Sequence, residues 1–446
     1  MKITLKTDRL SIDPVGTTFH YMNKFFRAIK NEAIIDVRDL LKCGLIDELI
    51  TNKLFPKTWI ANVQVDGYEL ILEHEKIARV SYPFEWSFSM LKDAAICILN
   101  VVEICSKYGY GLNDLHNYNI IFVGCNPIFV DFGSIKKGCS FTSKVDNFID
   151  YNFLPIKLLA LGEITFAKRI LSDEYIERYL PYLNYSSSLL TKKLIWELYS
   201  GNYKNQIKRI LNYFGANYNL KFNHLTPEKL KNKILKLHKQ NNSTIWGTYH
   251  QAYKKNGAVE ITPRFKRIIE LINKLDVKEV LDVAGNQGLL TRLIKDNCKN
   301  VQDAICVDYD ENAIDSFYNI SKNSNYSKQL YPVHSNLIFP ISVNYFEPFT
   351  HRMKSELVLA LALTHHLILA QEFPIDFIFK QIKALTKKYV FIEFMPLGLW
   401  GGAELPGVPE WYTIEWFRNN FIKYFTIYSE EKLEENRILF VGYLDN

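Results

Sequence analysis

The chain has 446 residues, 48% hydrophobic and 14% aromatic, which is enough apolar material for two or three globular domains. Its longest apolar run, Leu357 to Ala370, is interrupted by Thr364, His365 and His366 and is too short to span a bilayer, so a transmembrane protein is excluded. The formal net charge is +6 and the surplus is uneven, with 32 Lys+Arg against 24 Asp+Glu over residues 1–240; no nucleic-acid partner is expected from it.

Met1 to Leu10 alternates charged and apolar residues without a continuous apolar core, so no secretory signal is read there and a cytoplasmic location is expected. The seven cysteines lack CxxC or Cys/His spacing, which argues against a disulfide framework or a structural zinc site. Residues 1–80 read as a small mixed β/α lobe, with Gly16 in a turn, a strand around Phe25–Ile29 and a helix through Val37–Leu49. One long amphipathic helix is expected over 87–109. Next, Gly111 to Gly133 reads as loop, short strand, turn and short strand, with Asp114, Asn119 and Asp131 at the ends. From about 145 to 238 the pattern is mainly helical, and the basic stretch Lys229 to Lys239 reads as a solvated helix face. The polar run Lys239 to Thr244 is the linker candidate, dividing the chain into domains 1–239 and 240–446.

Beyond it the periodicity predicts helices at about Pro263–Leu275, Leu289–Lys295, Glu311–Ile320 and Asp376–Leu385. Strands are predicted at Glu279–Val283, Ala304–Val307, Leu357–Leu361 and Tyr389–Glu393, then an antiparallel pair near Phe425–Ser429 and Ile438–Tyr443. Such alternation implies a doubly wound parallel sheet, whose ligands bind beyond the carboxyl ends of the strands. Asp282, Asp308, the Thr364-His365-His366 group and Glu393 all fall at those ends.

Val280 to Gly288 reads as a buried strand, a glycine-containing turn and the start of a helix, which brings backbone N–H groups close to an adenosine-type cofactor. Asp308 ends the next strand, where a carboxylate can accept from both ribose hydroxyls. A nicotinamide dinucleotide would want G-x-G-x-x-G, and Ala284 breaks that spacing. S-adenosylmethionine fits better. Methyl transfer needs donor and acceptor held in line, and a group to take a proton from a hydroxyl. Asp282 would orient the turn, Ala284, Gly285, Asn286 and Gly288 would form it, Asp308 would hold the ribose and Asn336 the adenine edge. His365, His366 and Glu393 are the catalytic candidates, although paired histidines also cap helices and a buried glutamate also forms salt bridges.

On these residues, 244–446 resembles a class I S-adenosylmethionine-dependent methyltransferase. The runs Leu357 to Leu367 and Val390 to Pro396 resemble a bacterial subgroup that includes nodulation-protein-like enzymes and others associated with surface-glycan biosynthesis. Ala284 stands where the subgroup usually has the first glycine, and Asn336 where Asp is common. An upstream segment like Val80 to Ala95 also occurs in that subgroup. The resemblance implies a saccharide or lipid-linked glycan acceptor and peripheral association with glycan-biosynthesis machinery.

The upstream half is similar to the protein-kinase-like fold, through Asp114-Leu-His-Asn-Tyr-Asn119 and Asp131-Phe-Gly133. That similarity implies Asp114 as the base, Asn119 and Asp131 as magnesium ligands for Mg-ATP, and Arg27, paired with Glu48, in place of the usual lysine. Leu112 replaces the usual histidine, and a single Gly16 replaces the glycine-rich loop. A working kinase, a nucleotide- or glycan-binding pseudokinase and a scaffold all fit. The expected fold is thus α/β: a C-terminal doubly wound, Rossmann-like methyltransferase sheet preceded by an α+β kinase-like domain. The expected function is saccharide O-methylation; a bifunctional kinase-methyltransferase and a non-catalytic cofactor-binding module are the alternatives.

Overall fold

The computed structural model describes residues 2–3, 5, 13–172, 225–239, 254–255, 258–259, 261–343, 346–399 and 407–445. Most of the linker candidate and much of the 145–238 segment therefore lie outside the described residues. The chain forms two compact units: residues 1–78, 91–121 and 127–240 make one, and residues 79–90, 122–126 and 241–446 the other.

In the first unit, strands β1 (Gly16–Tyr21), β2 (Lys24–Ile29), β3 (Thr58–Ile60) and β4 (Leu70–His74) form an antiparallel sheet of order β1-β2-β4-β3. Gly16 begins β1 instead of standing in a turn, because its Cα lies against the backbone of Ala28 across the ladder, where a Cβ would sit 2.4 Å from the carbonyl oxygen. The expected helix over Val37–Leu49 is two helices, α1 (Ile34–Lys42) and α2 (Leu45–Thr51). Gly44, at φ +86°, breaks them in the left-handed region that glycine enters without a Cβ penalty. The long helix appears as α3 (Phe88–Lys107), followed by β5 (Tyr110–Leu112), β6 (Ile120–Val123), β7 (Asn126–Phe129) and β8 (Ile135–Lys137). Its described part also holds helices α4 (Leu154–Ala160), α5 (Ile164–Ser172) and α6 (Pro227–Leu235). The basic stretch is helical only to Leu235, with Leu230 and Ile234 buried on one side.

The second unit is built on a seven-stranded sheet. Its strands are β9 (Glu279–Val283), β10 (Asp303–Asp308), β11 (Leu330–His334), β12 (Ser355–Ala360), β13 (Thr386–Phe394), β14 (Thr426–Glu434) and β15 (Arg437–Tyr443). The order is β11-β10-β9-β12-β13-β15-β14, parallel through β13 and antiparallel at β15 and β14. This is the doubly wound sheet expected from the strand–helix alternation, with its switch point between β9 and β12. Helices α7 (Pro263–Asn273), α8 (Leu289–Asn297), α9 (Glu311–Ser321), α10 (Ile375–Leu385) and α11 (Ile414–Phe421) cover it.

Side chains two apart share a face of a strand. Leu281 and Val283, Ile305 and Val307, Val358 and Ala360, and Val390 and Ile392 accordingly belong to one core cluster, with Phe379, Phe417, Phe421 and Phe425. Phe379 meets Phe417 and Phe421 edge-on, at 5.4 and 6.0 Å between ring centres. Asp282 has the opposite parity and is buried beneath α8, where the Thr291 hydroxyl donates to it at 2.8 Å.

Candidate functional site

Between β9 and α8 the backbone turns sharply, with Ala284 at φ +57°, Asn286 at +53° and Gly288 at +61°. The turn's N–H groups are largely taken up at home. Gly285 donates to the carbonyl of Val307 at 3.3 Å, Gly288 to that of Gly285 at 2.9 Å, and Asn286 to Asp308 Oδ2 at 2.8 Å. Asp310 N–H donates to the other oxygen, Oδ1, at 2.7 Å. Asp308 is thereby latched at the end of β10 by backbone donors to both oxygens, with the Tyr309 backbone acting on it as well. An ionised carboxylate has about four lone-pair positions, so acceptor capacity remains for a further donor.

The glycines also serve the packing of the turn. A Cβ on Gly285 would lie 2.7 Å from both Asp282 Oδ2 and Cys306 Sγ, and a Cβ on Gly288 would lie 2.3 Å from the ring of Phe317. They make room for the protein's own side chains and so close the turn. Burial pushes the carboxyl of Asp282 up to about 7 and that of Asp308 up to about 6. The hydroxyl of Thr291 and the charge of Arg264 work against this at Asp282, and the backbone donors do so at Asp308.

Beside Asp308 stands a residue the sequence reading missed. Tyr309 is 72% exposed, and its ring stacks with His334 at 6.4 Å. Its signal was present, an aromatic directly after a strand-end acid. Asn336 accepts from the N–H groups of Ile338 and Phe339 at 2.8 and 3.2 Å, so its oxygen closes a turn and its amide N–H groups are the part left for a ligand. The set fits a ribosyl purine: an oriented acceptor for two hydroxyls, an aromatic face and an amide donor, all at the carboxyl ends of β10 and β11.

At the end of β13, Glu393 is fully buried and accepts from Arg264 Nε at 2.6 Å, Arg264 Nη2 at 2.8 Å, Arg437 Nη1 at 2.9 Å and the N–H of Ala362 at 2.9 Å. This geometry is the buried salt bridge weighed beside a catalytic role in the sequence. A carboxylate with four donors and no exposed surface is a structural anion rather than a base for an acceptor. Its partners lie 129 and 44 residues away along the chain, and no local pattern announces them.

His365 is buried and its Nδ1 has no hydrogen-bond partner; its ring lies 4.1 Å from that of His366. Burial, with His366 and Arg437 close by, drives the His365 imidazole down to about 3, and burial also lowers His366. Both rings are neutral near pH 7. Tyr412 lies tilted against Phe394 at 4.9 Å between ring centres and Trp411 meets Trp416 at 4.8 Å, with Tyr412 buried and Trp411 half-exposed.

In the first unit, Asp114, Asn119 and Asp131 come together. Asn119 Nδ2 donates to the carbonyl of Asp114 at 3.3 Å, and the N–H of Asp114 donates to Ser134 Oγ at 2.9 Å. The N–H of Gly133 donates to Asp131 Oδ1 at 3.1 Å, and Val130 N–H to the carbonyl of Asn119 at 2.9 Å. Burial raises the Asp131 carboxyl, while Arg27 and His116 nearby pull it down. The free acceptors of Asn119 and Asp131 are hard oxygens, a donor type that suits magnesium. The Arg27–Glu48 pair does not form. Arg27 is ion-paired with Asp13 and lies 5.9 Å from the ring centre of Phe132, whereas Glu48 takes Lys107 and Tyr108, each at 2.7 Å. Asp13 lies 14 residues before Arg27, across β1, and outside any motif.

Among the described residues, no helix is long and apolar enough to cross a membrane, and no group of three or more His, Cys, Asp or Glu side chains has a metal-holding arrangement. No family model matches the chain. The chain is similar to Nodulation protein NoeA of Rhizobium meliloti (strain 1021), with 23% identity over 421 residues, covering 86% of this chain and 83% of that one. Among solved structures it is similar to magnesium protoporphyrin IX methyltransferase from Synechocystis PCC 6803 with bound SAH, at 12% identity and TM-score 0.32, over 46% of this chain and 96% of that one. It is also similar to the PH0226 protein from Pyrococcus horikoshii OT3, at 17% identity and TM-score 0.34, over 44% of this chain and 96% of that one.

Proposed function

We propose that the second unit is an S-adenosylmethionine-dependent methyltransferase, and that it O-methylates a saccharide or surface-glycan intermediate. The observation that carries the first part is the carboxylate of Asp308, latched by backbone donors at the end of β10, beside the turn and next to the exposed ring of Tyr309. S-adenosylmethionine, when bound, supplies a methyl group on a cationic sulfur.

The rest of the work falls to the chain. Asp308 accepts the ribose hydroxyls; Tyr309 and Asn336 take the purine; Asp282, Ala284, Gly285, Asn286 and Gly288 set the rim of the site. His365 and His366, held neutral by burial, accept a hydrogen bond from the acceptor hydroxyl and orient it for in-line attack. Their low basicity suits orientation better than full proton removal, which leaves the proton to pass on to water. The saccharide reading rests on the resemblance in the sequence and on the half-exposed ring of Trp411 beside Trp416, amphipathic rings of the kind that pack on sugar rings. Incubating the full chain with methyl-labelled S-adenosylmethionine and a cell-surface glycan extract tests it. Labelled glycan by mass spectrometry is the expected result, and label only in protein or small molecules would contradict it.

A second reading concerns the first unit, which we infer to be kinase-like and to bind a nucleotide without efficient turnover. Support comes from the clustering of Asp114, Asn119 and Asp131 in a unit that also holds a small antiparallel sheet. Asn119 and Asp131 would hold magnesium, which with ATP steadies the phosphates, and Asp114 would accept a hydroxyl proton. Arg27 weighs against turnover, since its guanidinium is committed to Asp13. Magnesium-dependent ATP binding that is lost in Asp131→Ala, with no product formed, is the expected result. Steady release of ADP would favour a bifunctional kinase-methyltransferase.

A further inference from the structure

We propose that Glu393 is a positioning residue that clamps the loop carrying His365, with Arg264 and Arg437 holding the clamp in place. The proposal rests on the methyltransferase reading for what His365 does, and on the geometry below for how it is held.

Two ties run from Glu393 to the loop after β12. Its carboxylate Oε2 accepts the N–H of Ala362 at 2.9 Å, and its backbone carbonyl accepts the hydroxyl of Thr364 at 2.9 Å. Ala362 sits at φ +49°, a left-handed conformation that costs an alanine free energy and persists only where the surroundings impose it. The bond to Glu393 imposes it. Thr364 is fully buried, so its hydroxyl needs this partner. One residue further on is His365, buried against His366.

The other end of the clamp is equally determined. Arg264 holds the carboxylate through two nitrogens, at 2.6 and 2.8 Å, and Arg437 adds a third at 2.9 Å. Arg264 stands in the first turn of α7, whose start is set by Thr262 accepting the N–H of Phe265 at 3.2 Å, with Pro263 following. Arg264 also acts on the charge of Asp282 at the end of β9. The same arginine therefore lowers the Asp282 carboxyl through its charge while it binds the anion that sets the histidine loop. This accounts for an otherwise costly object, a glutamate with no exposed surface in the body of the sheet.

The test uses the full chain and needs no acceptor. Thr364→Val removes one tie, keeps the shape and leaves the ion pairs; Thr364→Ser keeps the hydroxyl; Glu393→Gln weakens the carboxylate end. Thr364→Val serves as the readout should Glu393→Gln unfold the unit. Amide exchange over residues 361–367, followed by mass spectrometry, is expected to quicken about tenfold in Thr364→Val and Glu393→Gln and to stay at the wild-type rate in Thr364→Ser. Histidine-selective NMR is expected to show His365, held at about 3 beside His366 and Arg437, rising toward the ordinary value of about 6.5 in the same two variants. His74, also driven to about 3 by burial in the first unit, is the internal control and should not move. S-adenosylhomocysteine affinity should stay within about twofold of wild type throughout, as the clamp does not touch the cofactor side directly.

Unchanged exchange and an unchanged His365 midpoint in Thr364→Val would overturn the clamp, as would failure of Thr364→Ser to restore them. Absence of S-adenosylhomocysteine binding in the wild type would instead remove the methyltransferase reading, and with it the positioning role, even with the loop ties intact.

Discussion

At Asp308 the affinity of the site and the stability of the fold pull in opposite directions with pH. Burial raises its carboxyl to about 6 and that of Asp282 to about 7, against about 3.9 in an unfolded chain. Between about pH 4 and 7 the folded state therefore holds more protons than the unfolded one, and these two groups make the fold less stable as pH rises. The proposed ribose binding runs the other way, because only the ionised Asp308 offers its full set of acceptors. S-adenosylhomocysteine should bind about tenfold more weakly at pH 5 than at pH 7.5, since Asp308 is then mostly protonated. In Asp308→Asn the affinity at pH 7.5 should fall about 10- to 100-fold, the scale of about 1.5–3 kcal/mol for hydrogen bonds to a charged group, and the pH dependence should flatten. Equal calorimetric affinities at the two pH values would take Asp308 out of contact with the ligand. Asp308 was legible as a candidate because a strand-end acid is a local pattern. Which donors its oxygens accept was not, nor was the capture of Glu393 by Arg264 and Arg437, because partners far apart in the chain leave no trace in spacing.

The turn between β9 and α8 shows what an element asks of its residues. Three of its positions are left-handed, and only Gly288 is also crowded, with the Phe317 ring where a Cβ would go. Gly288→Ala should therefore cost about 1–3 kcal/mol from overpacking, with the conformational penalty of about 1 kcal/mol added. Ala284 is exposed, so its methyl meets solvent and only the backbone conformation is unfavourable. Ala284→Gly should stabilise by about 0.5 kcal/mol, the relief exceeding the entropic cost of glycine by a small margin. Urea denaturation of both variants checks the pair, and a Gly288→Ala variant as stable as wild type would mean the turn is not packed as described. At this scale the periodicity was informative: β9, β10, β12 and β13 were legible as apolar runs, and α7 to α10 as amphipathic ones. β11 was obscured by Pro332, which an edge strand tolerates but a reader of patterns counts against a strand. The break between α1 and α2 was hidden because a lone glycine in a helical pattern is ambiguous until its φ is known.

At the scale of the molecule, the compact units interleave along the chain. A boundary near 240 is visible in composition, but residues 79–90 and 122–126 group with the second unit. Their ties are specific. Glu85 takes Arg352 through both oxygens at 2.6 and 2.9 Å, with both side chains buried, and Arg352 also donates to the carbonyl of Val80 at 2.7 Å. Glu311 and Asp315 accept the N–H groups of Phe88 and Ser89, each at 2.7 Å, at the start of α3. Glu85→Ala would leave Arg352 buried without its carboxylate, which should cost about 3–5 kcal/mol in the unfolding of the second unit. A fragment starting at 241 should likewise fail to fold stably, and a cooperative thermal transition from that fragment would refute this account of the second unit. No composition signal marks residues 79–90 as part of the later domain, since buried ion pairs more than 200 residues apart are a property of the fold.

The central claim is that the second unit binds S-adenosylmethionine at Asp308 and the adjoining turn. Calorimetry of the full chain with S-adenosylmethionine at pH 7.5, on wild type and Asp308→Ala, tests it most directly. Saturable one-to-one binding in the wild type that is abolished in Asp308→Ala, with the variant's thermal unfolding still cooperative, is the predicted result. No heat of binding in the wild type, or unchanged affinity in Asp308→Ala, would contradict it.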